Sequence, residues 1–196
     1  MTQKMPAREF LGACSVDPAV LELRPDYRGL LMVVDGLSPE VTAGDGGQAV
    51  EELITAAEKG LPRVDALTDV YNAICVLHQI PFGGEDLEHY QGPARLFRAS
   101  GTESFDTASG GENVIENPEA GEVVWGDDAG VTCRRWNWRQ GRRAALSDRT
   151  RSALFILDGL EPVSDEQLHA AADALMHALS SLGAELTCER RLLGAS

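Results

Sequence analysis

Residues 133–143 read Cys-Arg-Arg-Trp-Asn-Trp-Arg-Gln-Gly-Arg-Arg and hold five of the chain's 17 basic residues, every one of them Arg. Arg carries a planar fork that matches carboxylate and phosphate, and Trp136 and Trp138 offer flat faces on which a base or a guanidinium can stack. A strand continued from Val131 to Trp138 would put Arg134, Trp136 and Trp138 on one face and Arg135, Asn137 and Arg139 on the other. The same residues also fit a structural role, with the arginines pairing to surplus Asp and Glu and the tryptophans packed in a core. Asn137, set between two tryptophans, gains nothing from burial unless it finds partners.

Other reactive side chains are sparser. Asp127-Asp128 could be an acid–base or metal pair, but Gly-Asp-Asp-Ala-Gly is also what a tight hairpin needs, and the turn is the simpler cause. His78, His89, His169 and His177 stand apart from other candidate ligands. Cys14, Cys75, Cys133 and Cys188 form no C-x-x-C pair and read as free cytosolic thiols. Neither a G-x-S-x-G elbow, a phosphate-binding loop nor a dinucleotide fingerprint is present. No metal and no other cofactor is expected.

These residues need a scaffold, and 196 residues suffice for one domain with a real core, spanning 1–196 with residues 1–14 as a flexible lead-in. Hydrophobic residues at 43% and charged residues at 24% are ordinary for a globular chain. The polar N-terminus leads into no signal-like run, and no stretch approaches the roughly 18 apolar residues of a membrane helix, so a cytoplasmic protein without a membrane partner is expected. Its net charge of −14, with Lys4 and Lys59 as its only lysines, repels nucleic-acid backbones. Charge therefore disfavours DNA and the body of a tRNA as partners, whereas contact with one nucleic-acid end stays open.

Periodicity gives the elements. Strands are predicted at Ala19–Leu23, Gly29–Val34, Leu96–Arg98, Glu122–Trp125, Val131–Trp138, Thr150–Leu157 and Glu185–Leu192, with a hairpin turn at Gly126–Gly130. Thr42–Gln48 reads as a loop and Gly101–Asn117 as polar and turn-prone. Helices are predicted over Ala49–Lys59, through Leu67, Val70, Tyr71, Ile74 and Leu77, and over Ser164–Leu182, where Ser164 and Gln167 form a capping box. Asn72 would sit on the second helix, and Gly83-Gly84 in a tight turn just before Asp86. Gly29–Pro39 and Ala153–Pro162 echo each other, each an apolar strand followed by Asp-Gly-Leu-x-Pro, which suggests related positions in a pseudo-symmetric core.

Leu61-Pro-Arg-Val-Asp-Ala-Leu-Thr-Asp-Val-Tyr-Asn72, then Pro81-Phe-Gly-Gly-Glu-Asp-Leu87, resembles the B3/B4 tRNA-editing domain of the phenylalanyl-tRNA synthetase β subunit. The steps from Asn72 to Pro81 and from Pro81 to Asp86 both fit its motif. Gly121 to Gln140, Thr150 and Phe155-Ile-Leu-Asp158 are closer to free-standing proteins built from this domain alone. The resemblance runs over roughly residues 15 to 192. It implies an α+β fold, with a mixed, largely antiparallel β-sheet core flanked by helices.

It also implies a trans-acting aminoacyl-tRNA deacylase, a metal-independent hydrolase of an aminoacyl ester. In that reading Asn72 anchors the ester or terminal ribose, and backbone amides at Gly83 and Gly84 help to hold the oxyanion. Substrate would meet Asp86, Arg134, Arg135, Asn137, Arg139, Gln140 and Asp158, with Asp158 in the place of a pocket glutamate that selects the amino acid. Two departures bear on this. The family's editing histidine falls at Gly83, and bulky Arg134–Gln140 replaces a glycine-rich strand. The alternatives are a non-catalytic module that binds an amino acid, a nucleotide or a tRNA acceptor end, and tRNA-dependent aminoacyl transfer in a specialised pathway.

Overall fold

A computed structural model describes residues 5–39 and 64–194. The loop at Thr42–Gln48, the helix predicted over Ala49–Lys59 and the start of the Leu61 motif lie outside the described residues. The described chain begins with helix α1 (Ala7–Ala13), strand β1 (Ser15–Val16), helix α2 (Pro18–Leu23) and strand β2 (Arg28–Asp35). Helix α3 (Ala66–His78) and strand β3 (Phe82–Asp86) follow. Strands β4 (Arg95–Arg98), β5 (Phe105–Ser109), β6 (Glu112–Glu116), β7 (Val123–Asp127), β8 (Gly130–Arg134) and β9 (Arg139–Gln140) then form a β-rich block. Strand β10 (Ser152–Gly159), helix α4 (Asp165–Leu179) and strand β11 (Thr187–Gly194) complete the order.

Two sheets result. One is four-stranded and antiparallel, in the order β11-β2-β10-β3; the other follows β1-β4-β7-β8-β5-β6, with β9 paired to β8. Only the β1–β4 and β5–β8 pairings are parallel, so the architecture is the mixed, largely antiparallel α+β arrangement expected from the sequence.

Strand alternation assigns the faces of the four-stranded sheet. Leu30, Met32 and Val34 of β2, with Ala153, Phe155 and Leu157 of β10, pack beneath α3 and α4. Leu31, Val33, Leu154 and Ile156 point the other way, into a second core shared with α1, Leu96, Trp125 and Cys133. The sheet therefore lies between a helical layer and the second sheet. Its central strands β2 and β10 are the two echoing segments, paired antiparallel from Leu30↔Leu157 to Val34↔Ala153, so their Asp-Gly-Leu turns leave at opposite ends.

Five local expectations are corrected. Residues 7–14 are not a flexible lead-in, because α1 buries Phe10 and Leu11 in the second core. Gly101–Asn117, read as turn-prone, carries the paired strands β5 and β6, with the turn confined to Gly110 and Gly111. Ala19–Leu23 is helical, because Asp17 caps the segment by accepting from Ala19 N at 2.8 Å and Pro18 sits in the first turn. Gly83-Gly84 is not a turn but the middle of β3, paired with Ile156 and Phe155. The strand predicted through Trp138 stops at Arg134, because Arg135 and Trp136 take left-handed conformations with φ of 52° and 62°. For residues other than glycine such conformations cost on the order of 1 to 3 kcal/mol each, so surrounding structure must impose them. The backbone bond from Trp136 N to Val123 O, 3.0 Å, is one such constraint.

Candidate functional site

A cavity of about 530 Å3 opens where the tight turn after β8 meets the far end of β10. Arg135, Trp136, Asn137 and Trp138 line one side; Tyr27, Asp158, Leu160 and Pro162 belong to the other. Asp158 is only 8% exposed and continues the row of Leu154 and Ile156 on the face turned toward the second sheet. One carboxylate oxygen, Oδ1, accepts from the Tyr27 hydroxyl at 2.6 Å. The other, Oδ2, is fully buried and meets no close hydrogen-bond partner, nor does the buried indole N–H of Trp125, although Trp125 and Asn137 both lie near enough to the carboxyl to lower its pKa. Buried polar atoms are normally satisfied, so this carboxyl and the indole N–H form a loosely paired polar cluster behind the cavity lining.

The local fold explains how Tyr27 arrives there. Tyr27 precedes β2, and Gly29 is the register partner of Asp158. A Cβ at position 29 would lie 2.6 Å from the Tyr27 hydroxyl oxygen, so only glycine lets the phenol cross the strand. Trp136 packs against the Tyr27 ring at 5.2 Å between centroids. Burial pushes the Asp158 carboxyl up to about 6, although Tyr27, Asn137 and Trp125 each draw it back down. The same burial and the neighbouring carboxylate drive the Tyr27 phenol well above its ordinary value, so it stays a proton donor.

Asn137 spans the two sheets. Its Nδ2 donates to Ile156 O at 3.2 Å, and its amide lies directly over Gly83, where any Cβ would collide with it. The position at which the resemblance puts a histidine is thus covered by an amide from the ribbon. Gly83 also offers no free amide. Asp158 N donates to Pro81 O at 3.0 Å, and antiparallel alternation then makes Gly83 a hydrogen-bonded partner of Ile156. Gly84 faces the helices, where an added Cβ would meet Leu146, Phe155 and Tyr71. The oxyanion role expected of these two glycines therefore has no geometric support at Gly83, whose N–H belongs to the sheet.

The remaining expected site residues divide sharply. Arg135, Asn137 and Asp158 converge on the cavity. Asn72 does not, because α3 packs on the opposite face of the four-stranded sheet. Asp86 is buried and accepts from Thr150 Oγ1 at 2.8 Å and Glu88 N at 3.0 Å. Gln140 donates to Gly84 O, a tie between the sheets. Arg134 is held by both oxygens of Glu122, at 2.8 and 2.7 Å, and by Glu116 at 2.9 Å. Arg139 pairs with Glu116 at 2.9 Å and reaches Thr107. These two arginines follow the structural alternative, as do Arg142 with Asp106 and Arg143 with Asp127.

Asp127 accepts from Gln91 N, Ala129 N and Arg143, which makes it a turn anchor. Wider clefts exist, including one of about 690 Å3 beside Arg95, Asp127 and Asp128, but there Arg95 and Asp128 pair with each other at 3.0 Å. Among the described residues no group of three or more His, Cys, Asp and Glu is arranged to hold a metal ion. No helix of the described residues is long and apolar enough to cross a membrane. Among the cavity residues, Leu160 and Pro162 belong to the Asp-Gly-Leu-x-Pro echo, whereas Tyr27 is marked only by its Tyr-x-Gly spacing to Gly29, which hints at a ring crossing a strand.

Comparison with known proteins fits this architecture. A model of the B3/4 domain family matches residues 47–183, well over half of the chain. No curated protein matches it. Among solved structures the chain is similar to an N-terminal fragment of the phenylalanyl-tRNA synthetase beta-subunit from Pyrococcus horikoshii, at 14% identity and a TM-score of 0.57. The match covers 93% of this chain and 50% of that one, so the chain spans half the length of that structure. At such identity the likeness is one of fold.

Proposed function

The chain belongs to the B3/4 domain family, and from that premise we propose that it hydrolyses an aminoacyl ester carried on the acceptor end of a tRNA. The observation that carries the proposal is Asp158, a buried carboxyl drawn to about 6 that stands among the residues lining an aromatic cavity. A general base works best when its pKa lies near the operating pH, and burial is the usual means of raising a carboxyl to that range. In this reading Asp158 takes a proton from water while the water oxygen bonds to the ester carbonyl carbon. The tetrahedral intermediate then breaks its bond to the ribose oxygen, which receives that proton, leaving a free amino acid and a hydroxyl. Tyr27 and Asn137 keep the carboxylate oriented, and Trp136 and Leu160 offer apolar surface to the amino-acid side chain.

A second reading, a binding module, draws support from Asn137 lying over Gly83. Here the Asp158 carboxylate pairs with the ligand's α-ammonium, and no bond is cleaved. One experiment separates the two. A panel of aminoacylated tRNAs is incubated with the wild type and with Asp158→Asn, following ester loss and, in parallel, equilibrium binding. The hydrolase reading expects wild-type turnover that rises with pH through about 6 and falls at least 100-fold in the variant, with binding retained. Binding lost in the variant, with no turnover in either protein, establishes the module instead. A panel neither bound nor cleaved removes both.

A further inference from the structure

Of the five arginines between positions 133 and 143, four are tied to carboxylates. The side chain of the fifth, Arg135, makes no hydrogen bond or ion pair with any described residue, though its charge helps hold Glu122 low, in a protein with 31 acidic side chains. Its guanidinium instead lies 5.3 Å from the centre of the Trp138 ring. Trp138 is 71% exposed, in contrast to the fully buried Trp125. Both residues line the mouth of the cavity that contains Asp158. An uncommitted cation beside an open indole face matches two features of a nucleotide at once, its phosphate and its base.

We propose, building on the cavity reading above, that Arg135 and Trp138 form a platform for a single nucleotide, with the base on the open face of Trp138 and one phosphate on Arg135. The extent follows from charge. A polynucleotide track needs further free cations in line, and the neighbours Arg134, Arg139, Arg142 and Arg143 are already neutralised. The net charge of −14 opposes any longer backbone. The substrate class is therefore an aminoacyl group on a terminal nucleotide, read without the rest of the nucleic acid.

The test is a titration of the full chain with AMP, adenosine, inorganic phosphate and a trinucleotide, followed by tryptophan fluorescence. AMP is expected to quench the emission, with an affinity that weakens as salt is raised, because a single exposed ion pair is screened. The trinucleotide should weaken with salt no more steeply than AMP and bind within about threefold of it, since each further phosphate engaged would add another screened ion pair. Trp138→Ala should abolish the quenching. Arg135→Gln should weaken AMP about tenfold, as loss of one charge-assisted contact does, and leave adenosine unchanged. Arg142→Gln, in the same segment but paired to Asp106, should behave as wild type.

No response to AMP, equal quenching in Trp138→Ala, or a trinucleotide bound much more tightly and more salt-sensitively than AMP would overturn the platform. Failure of the two readings is separable. Ester hydrolysis without any AMP response keeps the cavity and discards the platform, whereas AMP binding with no aminoacyl substrate recognised keeps the platform and discards the cavity reading.

Discussion

At Asp158 a stability cost and a chemical capacity come from one cause, the removal of a carboxyl from water. Its folded value of about 6 exceeds the ordinary 3.8, so its stabilising contribution is complete below 3.8 and disappears as pH rises through 6. Asp158→Asn should therefore gain stability over wild type above pH 6, by up to about 3 kcal/mol, and lose that advantage near pH 4, as urea unfolding at the two pH values would reveal. Tyr27→Phe removes the donor on Oδ1, so the carboxyl should climb further and the pH–rate inflection should move upward. The arginines give a sharper contrast. Arg134→Ala strands Glu122 in a buried setting and should cost about 3 to 5 kcal/mol, whereas exposed Arg135→Gln should stay within about 0.5 kcal/mol in the same denaturation assay. Sequence composition made all the ribbon arginines look alike. Only the positions of Glu116, Glu122, Asp106 and Asp127 distinguish them, and those pairings join residues far apart in the chain.

Elements with local causes were legible. Helix α4 begins where Ser164 and Gln167 exchange hydrogen bonds of 3.3 and 2.9 Å, and Ser164→Ala should lower stability by about 1 kcal/mol in thermal melts. The 126–130 hairpin and the β2/β10 echo were legible for similar reasons, because turn chemistry and apolar runs are written in adjacent residues. Helix α2 was hidden by a short Val- and Leu-rich run that suits a strand equally well, and Asp17-Pro18 was the overlooked start signal. The break after β8 had no local sign, since Arg135 and Trp136 are poor candidates for left-handed backbone. Strand β3 misled for the opposite reason: its glycines serve close approach of Asn137 on one face and of Leu146, Phe155 and Tyr71 on the other. Because α3 lies across the sheet from the cavity, Asn72→Ala should leave kcat and KM for ester hydrolysis unchanged within about twofold, as surface changes away from a site usually do.

Two buried carboxyls govern the whole molecule's response to pH. Glu85 sits between the sheets, bonded by the Tyr90 hydroxyl, and burial pushes it up to about 7. Like Asp158, it favours the folded state while protonated and ceases to do so as pH rises through its folded value. Glu116 and Glu122, held low chiefly by Arg139 and Arg134, act in the reverse sense and lose their contribution as pH falls. Stability measured across pH should thus peak in mildly acidic solution, and combining Glu85→Gln with Asp158→Asn should flatten the alkaline limb. The sheets that enclose these groups are also interlocked mechanically at one point, where the Asn137 amide occupies the room above Gly83. That space admits a single tenant. A histidine introduced at 83 alone would act as a wedge that prises the ribbon from β3, so Asn137→Gly must come first. Sequence change at these two positions is therefore ordered as well as coupled, and the route between the two arrangements runs through the vacated form.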